Sequence, residues 1–249
     1  MAKQWDHFIQ GSFVAPSNGA YLQEYKPMTG APGDEIARGT EEDVDAAVKS
    51  SHAAIRPWKA KKQIERGRIL LAIAHDIRAN ADAFAAQEAE ETGKPLKVAG
   101  IEVELCAQYF EYYGGLATAL HGEQIDMGPN YHCYTTRDPF GVIGVILPWN
   151  APMNQAGRAI APAIAAGNTV VVKPSEFTSI SLLQLAQMAV EKSGLPGGVF
   201  NVVTGTGKET GEPLVLHPLV RKVAFTGSVR AGREIGKLAG DRIRSESVV

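Results

Sequence analysis

Four short stretches of the sequence set polar or glycine residues at the end of an apolar run. They are Pro148-Trp149-Asn150, Lys173-Pro174-Ser175-Glu176, Gly205-Thr206-Gly207 with Gly211 beyond, and Thr226-Gly227-Ser228. Their residue types suit a dinucleotide. A helix opening at Ser228 offers unpaired backbone N–H groups and a positive dipole end to a pyrophosphate, and Gly227 lets that backbone come close. Glu176 can accept hydrogen bonds from ribose hydroxyls, and Lys173 can donate one. Gly207 and Gly211 leave room for a flat adenine edge. Trp149 adds a ring face and one N–H donor.

Plainer readings stand beside these. Lys-Pro-Ser-Glu also makes an ordinary turn with a helix cap. Gly205-Thr206-Gly207 begins like a dinucleotide fingerprint, but Thr210 holds the third-glycine position, so alone it reads as a turn. Gly227 and Gly232 have phosphate-loop spacing, yet Arg233-Glu234 follows where Lys-Ser/Thr is required, and that motif is rejected. Ala231, Gly232 and Gly236 read instead as close helix–sheet packing. His75 and His121 read as surface or helix-end residues. No His, Cys, Asp and Glu group has metal-ligand spacing, so no metal is expected.

The elements around these stretches explain how they would meet. From Val142 the chain alternates strand and helix: strands 142–147, 169–172, 199–203 and 223–225, with helices 154–166, 181–192, a short piece at 213–217, and one from Ser228 to about Ala239. Four such units imply an α/β Rossmann-like parallel sheet with helices on its faces, whose ligands bind at the carboxyl ends of the strands. Before it lies an N-terminal helical layer. Strands are read at 8–9, 13–14 and 21–22. A helix capped by Thr40, with Asp43 in the capping-box position, carries Val44, Ala47, Val48, Ser51 and Ile55 on one face. A helical stretch from 64 to 92 carries Leu70, Ile73, Ile77 and Phe84; Gly93 ends it and Pro95 opens a third helix running through Val98, Ile101, Leu105, Tyr109 and Tyr112. Turn signals around residues 122–138 predict a protruding β-hairpin arm. The expected division is 1–121 for the N-terminal strands and helices, 122–138 for the arm, and 139–249 for an incomplete nucleotide-binding domain.

Bulk properties narrow the function classes. A net charge of −2 over 249 residues gives no basic excess for nucleic acid or an anionic membrane. The opening Met1-Ala2-Lys3-Gln4-Trp5-Asp6 has no apolar core of a signal peptide, and no apolar run approaches the ~20 residues of a membrane span. The two cysteines, Cys106 and Cys133, make no disulfide framework, so a reducing cytoplasm is expected. Cys106 sits mid-helix beside Glu102 and Phe110, a setting that raises a thiol pKa and leaves it inert. Cys133 follows His132, but successive side chains on a strand point to opposite faces.

Taken in order, these motifs resemble the aldehyde dehydrogenase superfamily. The likeness covers nearly the whole chain: Asp43-Val44-Asp45-Ala46-Ala47-Val48, Glu91-Thr92-Gly93-Lys94-Pro95, Pro139-Phe140-Gly141-Val142-Ile143-Gly144, Pro148-Trp149-Asn150-Ala151-Pro152, the run from Pro162 to Glu176, and Phe225-Thr226-Gly227-Ser228. It implies NAD(P)-dependent oxidation of an aldehyde to a carboxylic acid, through a cysteine nucleophile and a glutamate that activates water. By analogy Asn150 is the catalytic amide that stabilises the oxyanion. Ile146 and Trp149 line the nucleotide channel, Lys173 and Glu176 hold the adenosine ribose, Gly207 and Gly211 border the adenine, and Ser228 binds the pyrophosphate; Pro148, Asn150, Ser175, Thr226 and Gly227 complete the expected cofactor-binding set. NAD is expected, with NADP possible: a 2′-phosphate beside the Glu176 carboxylate costs on the order of 1–4 kcal/mol. The arm matches the family's oligomerisation hairpin, so a homo-oligomer is expected, with no nucleic-acid or membrane partner.

The sequence also departs from the family. Its glutamate and cysteine segments are absent, and the polar stretch 244–249 stands where an apolar strand belongs, which reads as a truncation or frame change. Arg158-Ala159 stands in a helix where many relatives carry lysine. The chain alone is therefore expected to be inactive. The alternatives are a catalytically dead nucleotide-binding fragment and a subunit-interaction protein.

Overall fold

The structure, a computed structural model, describes residues 2–241; the stretch 244–249 lies outside them. In chain order the elements are β1 (Gln4–Trp5), β2 (His7–Ile9), β3 (Ser12–Val14), β4 (Tyr21–Tyr25), β5 (Pro32–Ala37), α1 (Glu41–Ala60), α2 (Gln63–Ala79), α3 (Ala81–Thr92), α4 (Leu96–Leu116), β6 (Gln124–Ile125), β7 (Cys133–Tyr134), β8 (Val142–Ile146), α5 (Pro152–Ala165), β9 (Thr169–Lys173), α6 (Ile180–Glu191), β10 (Phe200–Val202), α7 (Glu212–Leu216), β11 (Val220–Phe225) and α8 (Val229–Asp241). A π-helical turn, Gly207–Gly211, precedes α7.

The main sheet has the order β11-β8-β9-β10-β2-β3. Its first four strands are parallel, as the strand–helix alternation requires. The strand segments are apolar almost throughout because both faces are covered. Ile143, Val145, Val170, Val172 and Val202 enter the larger core with α2, α4, α5 and α6. Val142, Ile146, Val171 and Val203 join the smaller one with α1, α7 and, at its margin, α8. That period-two alternation makes three layers from a sequence that reads as continuous hydrophobic runs.

Three features differ from the sequence reading. β2 and β3 do not merely lie on the nucleotide-binding layer; β2 pairs antiparallel with β10 and extends the same sheet across the expected boundary at 121. β5 was not expected, because Pro32-Gly33-Asp34 opposes strand propensity; it is the middle strand of a small sheet, β1-β5-β4. Asp34 fastens it, accepting from the Lys3 N–H at 3.0 Å and the Trp5 indole at 2.9 Å. The expected helix 64–92 is two helices, divided at Asn80, whose amide nitrogen donates to the Asp76 carbonyl at 2.7 Å.

Helix α4 also turns a different face inward. Val98, Ile101 and Tyr112 are exposed, whereas Ala99, Val103, Cys106, Ala107, Phe110 and Gly114 are buried. Small residues permit close helix contact here: a Cβ on Gly157 of α5 would lie 2.9 Å from the Cys106 Cα. In the arm, β6 and β7 pair antiparallel as expected, around Gly128 and Asn130 at positive φ. Among the described residues no helix is long and apolar enough to cross a membrane.

The α1 cap has the expected form. The Asp43 N–H donates to the Thr40 hydroxyl, and the Thr40 N–H donates to the Asp43 carboxylate at 2.8 Å. Thr40→Ala should cost about 1 kcal/mol, read as a lowered urea midpoint with an unchanged slope.

Candidate functional site

Register puts the candidate residues on one rim. Phe225 of β11 is opposite Ile146 of β8, which is opposite Lys173 of β9. The pairing continues one residue further: the Thr226 N–H donates to the Ile146 carbonyl at 3.1 Å, and the Leu147 N–H to the Lys173 carbonyl at 3.1 Å. The loops bearing Pro148-Trp149-Asn150, Ser175-Glu176 and Gly227-Ser228 therefore leave the sheet side by side. β10 runs parallel next to β9, and its chain continues into the turn with Gly207 and Gly211.

Lys173 links the Ser175-Glu176 loop to the Gly207–Gly211 turn. Its side chain is buried, with Nζ donating to the Pro174 carbonyl at 2.7 Å and lying 3.4 Å from Glu176 Oε2. A Cβ added to Gly211 would meet its Cδ at 3.7 Å. Burial pushes the Lys173 ammonium below its ordinary pKa, against the pull of Glu176. The Glu176 side chain is one-third exposed and so faces both this ammonium and solvent. Trp149 and Asn150 are exposed at the mouth of the rim, just ahead of α5. Ile146 is buried beneath them, and Pro148 is half-buried.

At β11 the chain turns sharply into α8. A Cβ on Gly227 would lie 2.5 Å from the Phe225 ring, so any larger residue here would have to displace that ring, a steric reason for glycine beside the one read from sequence. Ser228 is the cap of α8: its hydroxyl accepts from the Ala231 N–H at 3.2 Å. That donor, expected to be free, is taken, which leaves the amides of Val229 and Arg230. Thr226 is half-buried. Ser175 faces inward rather than outward, buried and accepting weakly from the Phe177 N–H at 3.4 Å. A Cβ on Gly232 would meet the Phe225 ring, whereas one on Gly236 would meet nothing within 4 Å among the described residues.

The two cysteines lie away from this rim. Cys106 is fully buried, and burial pushes its thiol up. The carboxylate that adds to the shift is Glu88, from α3, not Glu102. Cys133 is in the arm, and His132 turns toward Tyr134, at 5.4 Å between ring centres. His75 and His121 are exposed. A concavity of about 1000 Å³ lies between α1 and α7, and none of the candidate residues line it.

Sequence reasoning missed the buried residues behind the rim. His7, on β2, accepts from the Thr204 N–H at 3.2 Å through Nδ1, which leaves Nε2–H facing Asp43 at 3.6 Å. This joins the start of α1 to the carboxyl end of β10. A single histidine in a short strand carries no spacing signal that could have revealed it.

The whole chain finds its counterparts among known proteins. The model of the aldehyde dehydrogenase family matches residues 13–248. Hydroxyisobutyraldehyde dehydrogenase of Mycolicibacterium austroafricanum is 41% identical over 95% of this chain and 47% of its own length. Acetaldehyde dehydrogenase 2 of Cupriavidus necator is 38% identical over 97% of this chain, again 47% of its own. The crystal structure of NAD-dependent aldehyde dehydrogenase from Sinorhizobium meliloti superposes with a TM-score of 0.95 at 36% identity, over 98% of this chain and 49% of that one. This chain thus spans about half the length of the relatives it matches, and across that span it belongs to the aldehyde dehydrogenase family.

Proposed function

We propose that this chain supplies the nucleotide-binding part of an enzyme that oxidises an aldehyde to a carboxylic acid with NAD. The in-register row Phe225–Ile146–Lys173 carries this reading, because it gathers the candidate residues from separate strands on one rim. The donor set fits an adenosine ribose. An ammonium has three donors, and Lys173 uses one well, on Pro174, and one poorly, on Glu176. A hydroxyl-bearing ligand would satisfy the remainder while Glu176 accepts in return. Gly207 and Gly211 would border the adenine, Thr226, Gly227, Ser228 and the free amides behind them the pyrophosphate, and Ile146, Pro148 and Trp149 the channel; Ser175 would act through the turn it holds.

NAD, when bound, would supply the hydride acceptor, as in the NAD-dependent relative from Sinorhizobium meliloti. The side-chain amide of Asn150 would donate to the aldehyde oxygen as negative charge grows there. Neither cysteine can be the nucleophile from its position, so the chain alone should not turn over an aldehyde. Ile125, Met127, Tyr131 and Tyr134 are exposed on the arm, which supports a homo-oligomeric role for residues 122–138 beside the layers 1–121 and 139–249. Two free thiols favour a reducing compartment, the cytoplasm.

Tryptophan fluorescence tests the reading directly. Trp149 is 56% exposed while Trp5 and Trp58 are buried, so quenching by a ligand at the rim reports on Trp149, and Trp149→Phe should abolish it. NAD should quench, and NADP should bind at least about five-fold more weakly because of Glu176. Glu176→Ser should narrow that gap. Absence of quenching by millimolar NAD would remove the proposal.

A further inference from the structure

The turn Gly207–Gly211 is held from outside its own strand–helix unit. Arg38 follows β5, 171 positions earlier in the chain. Its Nε donates to both carboxylate oxygens of Glu209 at 3.1 Å, and its Nη2 donates to Oε1 at 2.6 Å. The same carboxylate accepts from the Thr206 hydroxyl at 3.0 Å, while the Thr206 oxygen accepts from the Glu209 N–H at 3.1 Å. One acidic side chain therefore ties the start of the turn, its middle and a different sheet together.

The inner side of the turn is seated as tightly. A Cβ on Gly39 would lie 2.6 Å from the Thr204 carbonyl and 2.7 Å from Thr210 Cγ2, and one on Gly205 would lie 2.8 Å from that same methyl. The Gly39 N–H donates to the Thr204 carbonyl at 3.1 Å, and the Thr210 hydroxyl to the Thr206 carbonyl at 2.7 Å. The π-helical turn is thus held by two consecutive residues of the β5–α1 junction, Arg38 through its guanidinium and Gly39 through close backbone approach. Such turns are rare and concentrate at functional sites. Its far end, Gly211, rests against Lys173, whereas around Gly207 a Cβ would meet nothing within 4 Å.

We infer that Arg38 is a positioning residue for the adenosine half of the nucleotide site, fixing the Gly207–Gly211 turn through Glu209. This rests on the nucleotide reading above. Arg38 touches no ligand in this assignment; it sets where the turn stands and offsets a carboxylate that would otherwise repel an anionic nucleotide. The Arg38 side chain is 46% exposed, so its ion pair adds little to global stability, and its effect belongs in affinity.

Calorimetric titration of the purified chain with AMP and with NAD tests this, alongside hydrogen exchange at residues 206–211 and a thermal melt. Arg38→Ala should weaken both ligands by the same two- to five-fold or so, speed exchange in the turn, and leave the melting temperature within about 2 °C. Arg38→Glu should be worse, and the swap Arg38→Glu with Glu209→Arg should restore affinity and protection together. Unchanged AMP affinity in Arg38→Ala, or no recovery in the swap, would overturn the inference. If the unaltered chain binds neither ligand, the nucleotide reading itself fails and this inference goes with it; that outcome is recognised because the parent, not the variant, is silent.

Discussion

Lys173→Met should weaken NAD binding by roughly ten- to a hundred-fold, the range expected for removing a hydrogen bond from a charged donor. The same substitution should not destabilise the chain. Lys173 is 3% exposed, and an ammonium so placed has given up its hydration for one carbonyl and a long contact to Glu176. Its folded pKa lies below the ordinary 10.5 because burial outweighs Glu176. The folded state then binds fewer protons than the unfolded one, so this residue's contribution to stability rises as pH climbs toward 10.5. Methionine fills similar space with no charge to desolvate and removes that dependence. The expected pair of results is lost affinity with an equal or higher urea midpoint at neutral pH. Loss of affinity and stability together would make Lys173 a structural residue and leave the ribose without its donor.

That combination, a buried cation that costs stability, marks the difference between what the sequence made legible and what it did not. The polar ends of apolar runs identified the rim, because strand direction alone decides which ends of a parallel sheet lie together. Asn150, Lys173, Glu176 and Ser228 could be named for that reason. Residues that hold the rim from behind could not. His7, Arg38 and Glu209 come from segments far apart in the chain, and their types are ordinary on any surface. β5 was hidden because Pro32, Gly33 and Asp34 oppose strand formation locally and tertiary hydrogen bonds to Asp34 override them. The inward face of α4 was hidden because a second apolar stripe, with Val98, Ile101 and Tyr112, lies exposed beside the polar row of Glu104, Gln108 and Glu111. Which stripe is buried depends on where Gly157 lets α5 approach, and helical periodicity cannot register that. Ser228 shows the reverse case: the helix start was right, but one of its amides proved to be capped by the residue named as the ligand.

A second large effect is expected beneath the same loop, at two buried acids. Glu24 of β4 and Glu91 of α3 both face the start of α6, which begins four residues after Glu176. Glu24 accepts from the Ser179 N–H at 3.3 Å, and Glu91 accepts from the N–H groups of Ile180 and, at 3.1 Å, Ser181. A helix start favours negative charge, but desolvation prevails. Burial raises Glu24 to about 7, with Asp34 adding to it, and raises Glu91 further with Glu24 beside it. One Glu91 oxygen lacks a well-formed hydrogen bond among the described residues. Because the folded values lie above the ordinary 4.5, the folded chain holds more protons between about pH 4.5 and 7. Its stability from this pair is therefore full at the acid end and falls as pH rises through 7, opposite to an ion-paired carboxylate. The loss for Glu24 amounts to about 3 kcal/mol. Urea melts at pH 5 and pH 8 should show it, with the chain weaker at pH 8; this range stays above the acid region in which Asp43, held low by His7 and by backbone amides despite its burial, acts in the other direction. Glu24→Gln keeps an acceptor for the Ser179 N–H without the charge, so it should make the profile shallower, leaving the part due to Glu91 and to Glu88, which burial raises to about 8, and exceed the parent in stability at pH 8. A glutamine variant with the parent's slope would mean that Glu24 stays ionised in the fold, and that the α6 start stabilises its charge more than burial opposes it.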